Sequence, residues 1–217
     1  MIRLSTLAVS AVLLFQLPLS AAPCISATLT SYVALAAVGC TIGGNTFNNF
    51  TLLPPVFSPI PASSVTLAPS GIGFSIALNT TATAGQTFES NFSFNLSGDS
   101  YTSANVMLTG STVSPNGVNT LVGDFTPGGI VILSDIGNGF PFLSDGVTFG
   151  ATSAILTKLD FVVDGGGNGR ASLTGGSVQF AAIPEPSSIW IGAAVAVVAG
   201  LARRRTVKNN QKKKENL

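Results

Sequence analysis

The stretch that most restricts this chain is Gln86-Thr87-Phe88-Glu89-Ser90-Asn91-Phe92-Ser93-Phe94-Asn95-Leu96-Ser97. Phe88, Phe92, Phe94 and Leu96 share one parity, and Glu89, Asn91, Ser93 and Asn95 take the other. Alternation sustained over that length predicts a β-strand with one buried and one wet face. Further strand-like runs follow or precede it at 74–78, 103–109, 118–125, 129–133, 146–149, 154–163 and 171–180. Turn-forming residues separate them, at 114–117 (Ser-Pro-Asn-Gly), 126–128 (Thr-Pro-Gly), 137–139 (Gly-Asn-Gly) and 165–169 (Gly-Gly-Gly-Asn-Gly). Ile42 and Phe47 flank a Gly43-Gly44-Asn45 reversal, which makes Phe47 and Phe50 core candidates. Pro54, Pro55, Pro59, Pro61 and Pro69 confine 53–70 to a loop or an edge. With no 12-residue helical period between the two chain ends, the expected fold is all-β: an antiparallel sandwich or jelly roll over 22–183.

The two ends read differently. Residues 1–21 have the form of a secretory signal peptide: Arg3, then an apolar run over 4–17, then Pro18-Leu19-Ser20-Ala21-Ala22. Pro23 disfavours cutting directly before it, so cleavage is expected after Ala21. At the other end Pro184-Glu185-Pro186 precedes an uncharged run from Ile189 to Ala202, closed by Arg203, Arg204 and Arg205. Sixteen residues, 187–202, give about 24 Å of helix, a little under the ~30 Å hydrocarbon core. Snorkelling arginines and local thinning of the bilayer make up the difference. The predicted element is a single transmembrane helix with a basic cytoplasmic tail over 206–217, leaving 22–183 outside.

This three-part tail resembles the PEP-CTERM protein-sorting signal of Gram-negative bacteria, also known as the ice-binding protein C-terminal domain. The resemblance implies that Pro184, Glu185 and Pro186 over 184–205 are the motif read by an exosortase. That enzyme is a membrane-embedded cysteine protease-transpeptidase. It further implies that Ile189 to Ala202 is a transient inner-membrane anchor and Arg203 to Arg205 the cytoplasmic stop. The protein would pass from the periplasm to the cell surface or the extracellular polysaccharide matrix after processing. Residues 39–50, with a Cys-x-x-Gly turn before Phe47 and Phe50, and 158–173, with a Gly-rich hairpin, are similar to stretches common in the ectodomains of that family. The hairpin reading expects Lys158 and Arg170 to pair with Asp160 or Asp164 across it.

Charge and chemistry narrow the function. Between Ala22 and Ile183 seven acids (Glu89, Asp99, Asp124, Asp135, Asp145, Asp160, Asp164) face Lys158 and Arg170, a net −5 that excludes nucleic-acid binding by phosphate neutralisation. Cys24 and Cys40 are the two cysteines, and an oxidising compartment predicts a disulfide. With no histidine and two thiols, no metal site or cofactor is expected. The weighed exceptions are calcium at Asp160 and Asp164, and a glycosidase pair such as Asp135 and Asp145. Neither has a supporting motif, and the Thr80-Thr81-Ala82-Thr83 cluster lacks the repeat an ice-binding face needs. The expectation is a non-catalytic structural or interaction protein. The alternative is a carbohydrate-binding module of the same fold, disfavoured by the scarcity of Tyr and Trp.

Overall fold

A computed structural model describes residues 21–183. The signal-peptide reading of 1–21, apart from Ala21, and the readings of 184–205 and 206–217 fall outside the described residues. Among the described residues no helix is long and apolar enough to cross a membrane.

The elements run β1 (Ala22–Pro23), β2 (Ala27–Thr28), α1 (Leu29–Val33), β3 (Cys40–Ile42), β4 (Asn45–Leu52), β5 (Ser58–Pro59) and β6 (Thr66–Pro69). The long strands follow: β7 (Gly73–Thr83), β8 (Thr87–Val113), β9 (Val118–Thr126), β10 (Gly129–Ile136), β11 (Ser144–Asp164) and β12 (Arg170–Ile183). The all-β expectation holds. Two predicted strands, 86–97 and 103–109, are one continuous strand of 27 residues, and 146–149 and 154–163 are likewise fused in β11.

That continuity makes the architecture. The first half of β8 lies between β4 and the second half of β11, in a layer ordered β1-β3-β4-β8-β11-β9-β10. Its second half lies between the start of β11 and β12, in a layer ordered β11-β8-β12-β7-β6-β2. Both strands therefore turn a corner from one layer to the other, and a single hydrogen-bonded sheet curls into a sandwich-like fold. β8 bends at Gly98, whose φ of 143° suits glycine alone; a Cβ there would meet Asn45 Oδ1 at 2.5 Å. β11 bends through register shifts between Thr148, Thr152 and Ala154.

The core takes most of the residues that the alternation predicted, while Phe88 is only partly buried against it. Phe92, Phe94 and Leu96 are fully buried, with Phe47, Phe74, Phe125 and Phe161. Rings meet edge to face, as in Phe47–Phe74 at 4.9 Å and Phe74–Phe94 at 5.9 Å, and each such pair adds about 0.5–1.5 kcal/mol to its area burial. Gly43 and Gly44, both at positive φ, form the expected tight turn between β3 and β4.

Four expectations are corrected. Residues 158–173 do not form a hairpin: the second half of β11 belongs to one layer and β12 to the other, and the two do not pair. The glycine run 165–169 instead crosses between layers. It is fastened there by Gly85 N donating to Gly166 O and Gly165 N to Gln86 O. Accordingly Lys158 pairs with Asp124 of β9, its direct register partner, at 3.0 Å, and neither Asp160 nor Asp164 is its partner. The sheet is mixed rather than wholly antiparallel, because β1 runs parallel to β3 and β5 parallel to β8. A short helix, α1, was not expected; Thr28 caps it through Ser31 N, and five residues are too few to show a period.

Cys24 and Cys40 form the expected disulfide, tying the N-terminal strand to β3 across 16 positions. The Cys24→Ser/Cys40→Ser variant should lose about 3 kcal/mol of stability, the loop-closure value for a ring of this size. Urea unfolding of both proteins measures it. A loss under about 1 kcal/mol would mean that the β1–β3 pairing holds without the bond.

Candidate functional site

The outward side of the first layer gathers most of the polar chemistry of the domain. In β11, Ile155, Leu159 and Phe161 face the core, so Leu156, Lys158, Asp160 and Val162 face out. Register then lays down rows across three strands. Leu156 sits between Asn95 and Thr126, Lys158 between Ser93 and Asp124, and Asp160 between Asn91 and Val122. The face is rich in amides and hydroxyls and poor in charge, with the Lys158–Asp124 pair near its centre. Half-exposed as it is, that pair is worth about 0–1 kcal/mol.

At one end the face forms a groove of about 420 Å³ lined by Asn48, Asn49, Asn95, Ser97, Thr126 and Leu156, among others. Its shape comes from a bulge: two steps on β8, from Asn95 to Ser93, oppose three on β4, from Asn48 to Thr51. Asn49 takes the extra place at φ 53° and is exposed, while Phe50 beside it is driven into the core. Asn48 donates to Ala37 O at 3.2 Å, which fixes its amide at the groove wall.

At the other end sits a buried acid that the alternation had placed on a wet face. Glu89 is 2% exposed because the proline-rich segment hooks back over it. Leu53 N still donates to Asn91 O, the chain reverses at Pro54-Pro55, and β5 returns parallel to β8. Val56 N and Phe57 N both donate to Glu89 Oε2, at 2.6 and 2.9 Å. Those two charge-assisted bonds hold the hook down. Asp160, diagonal to Glu89 on the next strand, has a carboxyl pushed up to about 6 by burial first, then by the Glu89 charge and a hydrogen bond shared with it. Its Oδ1 is shut off from solvent with no partner among the described residues. Glu89 clamps the hook, with the part-buried Asp160 carboxyl packed beside it. Glu89 is already engaged and covered, so a reactant has no approach to it.

The remaining acids have local duties. Asp164 Oδ1 accepts from Thr87 Oγ1 at 3.0 Å and from Gly166 N at 2.9 Å, and so shapes the start of the layer crossing. Asp160 lies four residues up the same strand, about 13 Å away, so the two do not converge on one ion. Among the described residues no three or more His, Cys, Asp or Glu side chains cluster as a metal would require. Asp135 turns inward and accepts from Ser111 Oγ at 2.6 Å, in a network with Asn119. Asp145 is exposed and pairs with Val106, about 16 Å along β8 from Ser111. Sequence reasoning missed the roles of Glu89 and Asn48, because the partners of Glu89, Val56 N and Phe57 N, lie more than 30 positions away and those of Asn48 depend on the bulge.

A carboxyl with a raised folded value binds its proton more tightly folded than unfolded. Its contribution is therefore fully present below the unfolded value of 3.8 and is lost as pH rises through about 6. Asp160→Asn should remove that loss. With the half-burial of the group allowed for, it should gain on the order of 1–2 kcal/mol over the parent at pH 7.5 and almost nothing at pH 4. Urea titrations at the two pH values test this, and identical pH dependence in the two proteins would count against the raised Asp160 value.

No protein-family model and no curated protein sequence matches the chain. Two solved structures are similar at low identity. One is TmCBM61 in complex with β-1,4-galactotriose, at 8% identity and a TM-score of 0.31, covering 60% of this chain and 87% of that one. The other is the enzymatically active domain of bacteriophage CBA120 tailspike protein 4, at 14% identity and a TM-score of 0.25, covering 66% of this chain and 20% of that one.

Proposed function

We propose that this is an exported, non-catalytic surface or extracellular-matrix protein of structural and interaction type. On this reading a signal peptide carries 22–183 across the inner membrane, and the tail built on Pro184, Glu185 and Pro186 holds it there for an exosortase. The reading rests on the order of features in the tail: tripeptide, uncharged run, then Arg203, Arg204 and Arg205. The Cys24–Cys40 disulfide supports an oxidising compartment. Intact-mass and fractionation analysis in the native host, with Pro184-Glu185-Pro186 changed to three alanines, tests it. The parent should lose Arg203 to Leu217 and leave the inner membrane, and the variant should keep both. Retention of the tail by both proteins would make the segment a permanent anchor and end the exosortase assignment.

A second reading, that the domain binds carbohydrate, is favoured by one observation. The groove lined by Asn48, Asn49, Asn95, Ser97 and Thr126 offers amides and hydroxyls beside the apolar Leu156, the donor and acceptor mix that sugar hydroxyls need. Asn95→Ala and Asn49→Ala should each weaken retention on extracellular polysaccharide at least about 5-fold in affinity electrophoresis, near 1 kcal/mol per lost hydrogen bond. Unchanged mobility of parent and variants on every polysaccharide fraction would exclude this reading.

A further inference from the structure

One flank of the domain is apolar and has no partner among the described residues, and its chemistry lies outside the export and sugar-binding readings. Strand β10 is the rim of the first layer. Its inward residues are Val131, Leu133 and Asp135, all buried, so Ile130, Ile132 and Ile136 face out and are 65%, 60% and 44% exposed. The following segment adds to the same face. Ser134 and Phe142 exchange two backbone hydrogen bonds, at 3.0 and 2.8 Å, which sets the Phe142 side chain beside Ser134 on the outward side. Gly139 N donates to Ile136 O to close the turn, and Phe140, next in the chain, is 99% exposed.

Ile130, Ile132, Ile136 and Phe142 thus form one stripe, with Val118 and Val122 of β9 behind it by register and Phe140 standing exposed past its end. Together they present on the order of 600–700 Å². That exceeds the ~300–600 Å² of the largest patch on a typical monomer and approaches the ~800 Å² that each partner contributes to a standard interface.

We propose that this stripe is the docking site for a second copy of the same chain, the two stripes packing face to face about a two-fold axis. The patch carries no charge, so it has no sign with which to select a partner of opposite potential. The charges at its rim, Asp124 and Lys158 beside Ile130, are opposite and adjacent. A two-fold copy can set each Lys158 against the other copy's Asp124 without like-charge contact. The Phe142 bridge also caps the strand edge at Ser134, which blocks open-ended strand addition and leaves a closed, side-chain contact. The stripe runs the length of β10, from Ile130 to Ile136 and on to Phe140.

The test uses the full chain in its host membrane with a thiol cross-linker. Ile132→Cys should give a covalent dimer, Asn105→Cys on the other layer should not, and adding Ile136→Glu and Phe140→Glu should reduce the Ile132→Cys dimer at least 10-fold. Circular dichroism melts of the purified variants should match the parent, since all four positions are exposed. Absence of the Ile132→Cys dimer, equal cross-linking at Asn105→Cys, or cross-links to a different protein would overturn the proposal. So would protection of Ile132→Cys from maleimide by protein-free lipid vesicles. Repeating the cross-link in the triple-alanine tail variant keeps the result separate from the sorting reading, because the dimer should persist there.

Discussion

Everything in this domain depends on two strands turning a corner together. β8 and β11 pair with each other in both layers, so neither layer can form without half of the other. The corner of β8 is held by a small polar knot. Asn45 Nδ2 donates to Asp99 Oδ2 at 3.0 Å, Asp99 N donates back to Asn45 Oδ1 at 2.9 Å, and the buried Tyr101 hydroxyl also donates to Asn45 Oδ1. Burial, then the Asp99 charge, pushes Tyr101 up to about 12, so the hydroxyl keeps its proton and remains a donor at any ordinary pH. Asn45 is itself the last residue of the Gly43-Gly44 turn, which links the corner to the N-terminal strands and through them to the disulfide. A strand that must reverse layers needs a residue without a Cβ and a partner that satisfies the backbone it exposes; Gly98 and Asn45 supply the two.

The opposite end has its own fastening. Three layer crossings, 84–86, 114–117 and 165–169, meet there. Arg170 N donates to Ser114 Oγ at 2.6 Å, and Ser114 N to Arg170 O at 2.8 Å. Gly169 N closes on Gly165 O within the same crossing. The close approach explains the glycine density: a Cβ on Gly165 would sit 2.1 Å from Thr83 O. A run that looks like a flexible hairpin loop is a packed seam, and its glycines are there for contact as much as for turning.

The alternation in 86–97 told which residues fill the core, and the Gly-Asn turns told where direction changes, because both are written in neighbouring residues. Pairing is not. Whether 165–169 folds β12 back onto β11 or sends it to the other layer depends on β7, some 80 positions earlier, and no local pattern distinguishes the two. A separation of 34 positions likewise hid the Lys158–Asp124 partnership, where two aspartates close in sequence looked equally available. Glu89 was misplaced for a further reason: parity assigns it to the outer face correctly, but the hook that covers that face comes from the proline-rich run, whose path periodicity does not describe. Of the groove, the sequence shows abundant Asn; that Asn48, Asn49 and Asn95 share one wall follows only from the bulge in β4.

The scarcity of charge ties these points to what the domain can do. With a single cation on the outer face, the domain keeps its surface wet through Asn, Ser and Thr, which bind water or sugar hydroxyls without an ionic preference. It also spends one of its few carboxylates, Glu89, in clamping a loop. The interaction capacity left over is therefore divided between two unlike surfaces of one layer: a polar groove at the β4 side and an apolar stripe at the β10 side. The stiff pairing of β8, β11 and β9 lies between them. That pairing fixes the spacing: Thr126 of the groove and Val122 of the stripe lie four residues apart on β9, on the same outward side. The two surfaces differ because the outward side of one continuous layer changes from amides and hydroxyls on β4 and β8 to isoleucines on β10, where no polar partner strand follows among the described residues.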